Sequence, residues 1–360
     1  MIGVVIPVFN PEHAFIEYVQ DILKNPLRPV IIINDGSDSA HSEVFCRLAS
    51  LEGCIVLTHE ANRGKGRALK TAYEYFLANL PQHIGLITAD ADGSNALEDI
   101  LALAELLRKN LDRYAVVGQR DIYNKKVPLL SRLGNKMNAA LFRLLYGGHI
   151  KDTQCGLRAF SADIITDMLK ISGERYDYEM RVLTFLQLKN ITWTLYPIQT
   201  IYSNNKCPDY RPADTARIFI SLMSGFFRYF SVFLLSAIID VFVLALCYYF
   251  FFSSLPLAQR LLLSTVIARI ISSVFNYLAN KFVVFQSKKS HRKAAWRYYF
   301  LWLSQMLTSY FLVLLCTSIF SINVVLPKAL IDTALGIISY QVQLHWVFKD
   351  APSSSNKPKP

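Results

Sequence analysis

At 360 residues the chain is longer than a typical single domain, and a formal net charge of +11 makes it strongly basic. Its six cysteines, Cys46, Cys54, Cys155, Cys207, Cys247 and Cys316, form no C-x-x-C pair and accompany no histidine cluster at metal spacing. That excludes a disulfide scaffold and a zinc module and leaves reduced, buried thiols.

From Met1 to about Arg217 short apolar runs alternate with helix-like stretches. Strands are predicted at Ile2 to Val8, Val30 to Ile33, Cys54 to Leu57, Ile84 to Thr88 and Ala115 to Gly118. Helices are predicted at Glu12 to Leu23, Ser42 to Leu51, Gly66 to Leu80 and Ala96 to Lys109. The strand runs are continuous rather than alternating, as expected of a parallel sheet covered on both faces. Repeated strand–helix order gives an open α/β sheet, whose ligands bind beyond the carboxyl ends of the strands. Asn10, Asp35, Asp38, Asp90 and Asp92 all fall there. Met1 leads straight into a core strand with no cleavable leader, so this half is expected in the cytosol.

Three strings in this half carry chemistry. Asn34-Asp35-Gly36-Ser37-Asp38 and Asp90-Ala91-Asp92 each close a strand in carboxylates. A lone D-x-D reads as a solvated turn, but two at neighbouring strand ends suit Mg2+ or Mn2+, which bind through one or two carboxylates plus substrate phosphate. Asn62-Arg63-Gly64-Lys65-Gly66-Arg67-Ala68 joins a strand to a helix. It is either a plain junction or a phosphate contact in which glycines admit the anion to a helix N-terminus and Lys65 adds charge.

Leu130 to Leu145 repeats leucine and methionine near helical spacing, with Arg132, Lys136 and Arg143 between them. Such a helix either packs on the sheet or lies in the interface of an anionic membrane, where Lys125, Lys126 and Arg132 would draw in a lipid phosphate. Asp177 and Glu179 read as a helix cap or surface pair, or as carboxylates near a sugar.

From about Tyr229 to Phe348 long apolar stretches dominate. They account for the basic balance better than a nucleic-acid partner does. Ser231 to Phe252, Leu261 to Lys281, Tyr298 to Phe320 and Leu326 to Val347 each approach the roughly 20 residues that cross a bilayer. Basic residues crowd the second connection, from Lys288 to Arg297, which places it and both termini in the cytosol. Asp240 and Arg269 lie at matching depths of an antiparallel hairpin and are expected to pair, an unpaired charge there costing at least ~2.5 kcal/mol. The second and fourth spans end alike, in Asn276-Tyr277-Leu278-Ala279-Asn280 through Phe285 and Ser339-Tyr340-Gln341-Val342-Gln343 through Phe348. Tyr, Val, Phe and an amide coincide without a gap, which implies two related hairpins. This module resembles the GtrA-like membrane family.

The first half resembles family 2 glycosyltransferases of the GT-A fold. The resemblance rests on Ile6-Pro7-Val8-Phe9-Asn10, Asn34 to Ser37, Asn62 to Ala68, Asp90 to Gly93, and Asp152-Thr153-Gln154-Cys155-Gly156-Leu157-Arg158-Ala159-Phe160. The last string is similar to that of dolichol- and polyprenyl-phosphate sugar synthases. The resemblance implies that Pro7 and Asp35 hold the nucleobase and ribose, helped by Asn10, Glu12 and Lys65. It implies that Asp92 is the principal ligand of Mn2+ or Mg2+, with Asp90 beside the donor phosphates, and that Arg120 binds the acceptor phosphate. Asp152, Gln154, Asp177 and Glu179 would line the sugar or support those that do. Two positions depart from the pattern: Ser94 stands where relatives often place Gln, and Pro11 where many carry an acid, with Glu12 one place later.

The expected organisation is a cytosolic GT-A domain over residues 1–217, a four-helix GtrA-like membrane domain over 218–349 and a disordered cytosolic tail over 350–360. The expected reaction is inverting, metal-dependent transfer of a hexose from a nucleotide diphosphate sugar, UDP-linked by preference, to polyprenyl phosphate at the cytosolic face of the cell membrane. The alternatives are a GDP-mannose-dependent mannose synthase and a membrane domain that translocates lipid-linked sugar. A processive polysaccharide synthase is disfavoured because the cytosolic half lacks a Gln-x-x-Arg-Trp signature. The sugar and the oligomeric state are not legible.

Overall fold

The computed structural model describes residues 1–110, 112–121, 129–189, 191–199, 212–320 and 325–349. Lys125, Lys126, Cys207 and the 350–360 tail lie outside the described residues. The chain divides into two units, Met1–Leu222 and a second beginning at Met223.

The first unit runs β1 (Ile2–Val8), α1 (Ala14–Leu23), β2 (Leu27–Asn34), α2 (Ser42–Ala49), β3 (Cys54–Thr58), α3 (Lys65–Asn79), β4 (Gly85–Thr88), α4 (Leu97–Lys109) and β5 (Tyr114–Arg120). It continues through α5 (Leu129–Tyr146), β6 (Arg158–Ser161), α6 (Ala162–Leu169), α7 (Asp177–Leu188) and β7 (Thr192–Ile198). The sheet order is β3-β2-β1-β4-β6-β5-β7. Its pairs are parallel except that β6 runs antiparallel to both β4 and β5. Continuous apolar runs explain the core: Ile6 and Ile32 are fully buried, and helices cover both faces. Strand order reverses beside β1, which has β2 on one side and β4 on the other. A crevice opens at such a switch point, beyond the carboxyl ends, and the three strings converge on it.

The five predicted strands and the five helices, α5 included, are present to within three residues at each end. Strands β6 and β7 and helices α6 and α7 lie outside the predicted elements. β6 holds only four residues, and its burial of Arg158 and Ser161 hides it from an apolar pattern.

The second unit is built from the rest of α8 (Pro212–Leu246), α9 (Leu257–Ala279), α10 (His291–Phe320) and α11 (Val325–Val342). Among the described residues three helices are long and apolar enough to cross a bilayer: Ala213–Phe251, Leu257–Val284 and His291–Cys316. The helix at the fourth expected span, α11, has 18 residues and does not reach that standard among the described residues. Large apolar side chains face outward, as Val241 and Phe250 do. Small and polar ones lie inside, with Ser264, Ala268 and Ser272 one turn apart on α9, the pattern that lets helices approach in lipid.

The repeat is structural as well as sequential. The two matched endings finish in π-helical turns, Asn280–Val284 and Gln343–Val347. The Asn280 amide donates to Asn276 Oδ1 (2.7 Å), and the Gln343 amide donates to Ser339 Oγ (3.2 Å), four residues back in each case. Phe285 stacks on Phe348, ring centroids 5.1 Å apart. Each ring also meets the tyrosine of the other ending, Phe285 with Tyr340 and Phe348 with Tyr277. The basic connection works partly as a cap. Lys289 and Arg297 donate to the Trp346 carbonyl at 3.0 and 2.8 Å, where a helix C-terminus favours cations.

Asp240 accepts a hydrogen bond from Ser272 Oγ (2.8 Å) and lies 3.6 Å from Arg269, whose side chain is 68% exposed against 14% for Asp240. That asymmetry sets an expected result. Asp240→Asn strands Arg269 on the lipid-facing surface and lowers stability by about 2–3 kcal/mol. Arg269→Gln costs less, because Asp240 keeps its hydrogen bond from Ser272. The double variant recovers most of the loss. Thermal melts in detergent check the order.

Candidate active site

At the end of β1, Asn10 adopts a left-handed backbone (φ 50°), which asparagine tolerates better than most residues. Its N–H donates to Ser37 Oγ (2.9 Å), and its side chain exchanges two hydrogen bonds with Asp38, each 3.0 Å. The ends of β1 and β2 are thereby zipped together. Gly36 sits at φ 74°, where a Cβ would lie 2.3 Å from the Ala61 carbonyl carbon, so no larger residue fits that turn. Pro7 pairs with Ile33 in β2, two residues beyond the last β1–β4 pair at Val5. Glu12 is exposed just before α1.

Asp35 is 4% exposed and held from below. It accepts the N–H groups of Arg63 (2.9 Å) and Gly64 (2.8 Å) and lies 2.7 Å from His59 Nδ1. It therefore organises the Asn62–Gly66 turn, a duty the sequence does not announce. The turn delivers Lys65 as the first residue of α3. Lys65 Nζ reaches Asp90 Oδ1 at 2.7 Å and Glu179 Oε1 at 3.0 Å. Burial disfavours its charge, but the two carboxylates outweigh that and raise its pKa.

Asp90 follows β4, its N–H donating to the buried Asn95 side chain (2.8 Å). Burial pushes its carboxyl up, but Lys65 foremost, with Arg120 and Arg158, holds it below the usual range. Asp92 is exposed and accepts the Ser94 N–H (2.9 Å). The residue in the place of the absent Gln thus shapes the turn through its backbone. Among the described residues no three His, Cys, Asp or Glu side chains gather into a metal cage. Two hard oxygen donors side by side fit an ion that keeps waters and takes its remaining ligands from phosphate.

The D-T-Q-C-G string forms the opposite wall. Asp152 is fully buried and does not line a sugar. It accepts from Arg120 Nε (2.6 Å), Arg120 Nη2 (3.2 Å), Asn135 Nδ2 (2.7 Å) and the Gln154 N–H (3.0 Å). Arg120, 31% exposed, is gripped by this carboxylate through Nε and Nη2. Burial opposes ionisation of Asp152, but Arg120 prevails and lowers its pKa. Arg158, 2% exposed, donates to the carbonyls of Cys155 (2.9 Å) and Glu179 (2.7 Å), clamping the string to α7. A Cβ on Gly156 would lie 2.4 Å from Asp90 Oδ1, so any larger residue there would displace the Asp90 carboxylate. The Cys155 thiol is pushed up to about 12 by burial, which removes it as a nucleophile or base. Asp177, the first residue of α7, accepts from Arg181 Nε one turn on (3.1 Å) and from the Arg175 N–H (3.3 Å).

Sequence reading missed Asn135, Arg158, Asn95 and His59. Asn135 and Asn138 share the buried face of α5 with Phe142, while Leu133, Met137 and Leu144 are exposed. Arg132 is half-buried on the same helix. Polar residues on the inward face were the available signal, and an amphipathic pattern reads them as surface.

Comparison with known proteins identifies the scaffold. Residues 3–169 match the model described as "Glycosyl transferase family 2". An uncharacterised protein of Methanocaldococcus jannaschii is 31% identical over 207 residues, 56% of this chain and 82% of its own length. The chain is a family 2 glycosyltransferase. The glycosyltransferase also matches "GtrA/DPMS, transmembrane domain" over residues 228–348, and with its apolar helices it is a membrane protein. The UDP-N-acetylglucosamine–dolichyl-phosphate N-acetylglucosaminyltransferase of Methanococcus voltae is 29% identical over 56% of this chain and 86% of its own. The undecaprenyl-phosphate 4-deoxy-4-formamido-L-arabinose transferase of Pectobacterium atrosepticum is 28% identical over 47% and 51%. A solved glucosyl-3-phosphoglycerate synthase from Mycobacterium tuberculosis, in complex with UDP, aligns at a TM-score of 0.49 and 20% identity over 62% of this chain and 79% of its own.

Proposed function

We propose that the glycosyltransferase moves a hexose from a UDP-sugar to a polyprenyl phosphate, with inversion, at the cytosolic face of the membrane that its helices cross. Residues 1–217 are the catalytic domain in this reading and 218–349 the membrane domain. The observation that carries it is Arg120, held through Nε and Nη2 by the fully buried Asp152 carboxylate and yet 31% exposed. A guanidinium so held recognises a phosphate oxyanion by geometry as well as by charge. The relatives named for dolichyl and undecaprenyl phosphate acceptors support the same substrate class.

Asp90 and Asp92 would hold a divalent cation, which when bound stabilises charge on the departing diphosphate. The chain's own residues do the rest. Lys65 and the turn of α3 bind donor phosphate, and Arg120 orients the incoming one. No side chain need remove a proton from the nucleophile, because a phosphate monoester with a second pKa of about 6 is largely dianionic at neutral pH. The exposed Leu133, Met137 and Leu144, flanked by Lys136 and Arg143, suit α5 to an anionic interface where the lipid phosphate lies.

The deciding experiment offers the purified protein a panel of UDP- and GDP-sugars with Mn2+ and polyprenyl phosphate. Formation of a polyprenyl-phosphate sugar from a UDP donor supports the reading. Transfer from GDP-mannose alone would make it a mannose synthase, and no lipid product from any donor would refute it.

A pH prediction follows from the depressed carboxyls. Asp90 and Asp152 have folded pKa values below their unfolded ones, so their contribution to stability is complete above about pH 4. It is lost only as pH falls through the lower folded values. The acid limb of kcat/KM for the acceptor is therefore expected near pH 6, from the substrate phosphate. An acceptor phosphonate with a higher second pKa should carry the limb upward. A limb that stays in place with the analogue assigns it to the protein.

A further inference from the structure

Lys65 stands at the first position of α3, behind Gly64, whose φ of 102° turns the chain into the helix. Its side chain and those of Asp90 and Glu179 are 17%, 26% and 10% exposed. The contacts are set by close backbone packing. Gly66 brings α3 against the start of α7, where a Cβ would lie 2.6 Å from Tyr178 Cβ, and Gly156 brings the D-T-Q-C-G string against the Asp90 carboxylate. Glu179 is further fixed through its carbonyl, which accepts from buried Arg158. Lys65 can therefore leave Asp90 by rotating its own flexible chain, with Glu179 still in reach. A dication on the same carboxylate would stand within a few ångströms of the ammonium, where solvent screens little and like charges repel.

We infer that Lys65 and a divalent cation are alternative partners of Asp90, and that Glu179 tethers Lys65 so that a nucleotide diphosphate can take its ammonium and leave Asp90 to the cation. This rests on the reading of Asp90 and Asp92 as the seat of a metal and diphosphate. Lys65 then couples the two ligands, and by linkage each raises the affinity of the other by the same factor. Glu179 acts through Lys65 and is a positioning residue.

The test measures Mn2+ binding to the full chain in detergent, by the electron paramagnetic resonance of free Mn2+, with and without UDP. Wild type should bind Mn2+ about tenfold more tightly with UDP, a typical coupling. Lys65→Met should tighten binding in the absence of UDP and shrink that ratio towards one. Glu179→Gln should weaken binding in the absence of UDP, because the ammonium then belongs to Asp90 alone. Opposite signs from two neighbouring variants are not expected of structural damage. Should Lys65→Met fail to fold, Lys65→Gln makes the same comparison. Unchanged or weaker UDP-free binding in a folded Lys65 variant overturns the exchange. If Asp92→Asn binds Mn2+ with UDP as wild type does, the metal seat itself is misassigned and the inference falls with it.

Discussion

Asp92→Ala is expected to abolish sugar transfer, by about 10^3-fold or more in kcat, the scale of losing a group that stabilises developing charge. Asp92 is exposed, and among the described residues its hydrogen-bond partner is the Ser94 N–H. The variant should therefore melt within about 1 kcal/mol of wild type, the worth of a single neutral hydrogen bond. Asp90→Ala should also lower transfer severely, but with a cost to stability, since it leaves the Lys65 ammonium with Glu179 alone. Chelation with EDTA should stop the wild-type enzyme, and Mn2+ or Mg2+ should restore it. Full turnover after exhaustive chelation, with Asp92→Ala still inactive, would remove the metal from the mechanism and leave Asp92 with another role.

Changing Arg120 should damage acceptor use far more than donor binding. Arg120→Ala alone is a poor test, because it takes the guanidinium from a buried Asp152 and leaves it neutral donors, namely Asn135 and the N–H groups of Gln154 and residue 120. Breaking such a pair costs about 3–5 kcal/mol. The informative variant is Arg120→Gln with Asp152→Asn, which removes both charges. Its kcat/KM for polyprenyl phosphate should fall about 10^2-fold or more, as when a charged partner is lost at a desolvated site, while UDP affinity changes little. Arg132→Ala should act in the same direction and less strongly. Steady-state kinetics with each substrate varied, beside a UDP titration, separate the cases. Lost UDP binding with an unchanged acceptor dependence would place Arg120 on the donor side.

Most of the sheet was legible because its strands are continuous apolar runs that stop at polar residues. The Asn34–Asp38 and Asp90–Asp92 strings mark those stops, so their meeting at one crevice followed from topology alone. The membrane half was legible for the same reason, since span length and apolarity are local properties. The matched endings of α9 and α11 align residue for residue in the sequence, while their π-turns and crossed aromatic contacts belong to the fold. The 18-residue α11 shows the limit of that reasoning, because among the described residues it does not match the other three helices.

The sequence by itself determined where the candidate site carboxylates lie along the chain, because strand ends and acidic pairs are written in adjacent residues. Only the tertiary structure decided what each carboxylate holds. Asp35 grips the Gly64 turn, Asp152 grips Arg120 and supports the site from below, and Glu179 shares Lys65 with Asp90. It also decided that β6 enters antiparallel between β4 and β5, carrying Arg158 beneath the site. These partners come from segments far apart in the chain. No periodicity encodes such a pairing, and it is fixed when a buried polar group must find a donor or acceptor within reach.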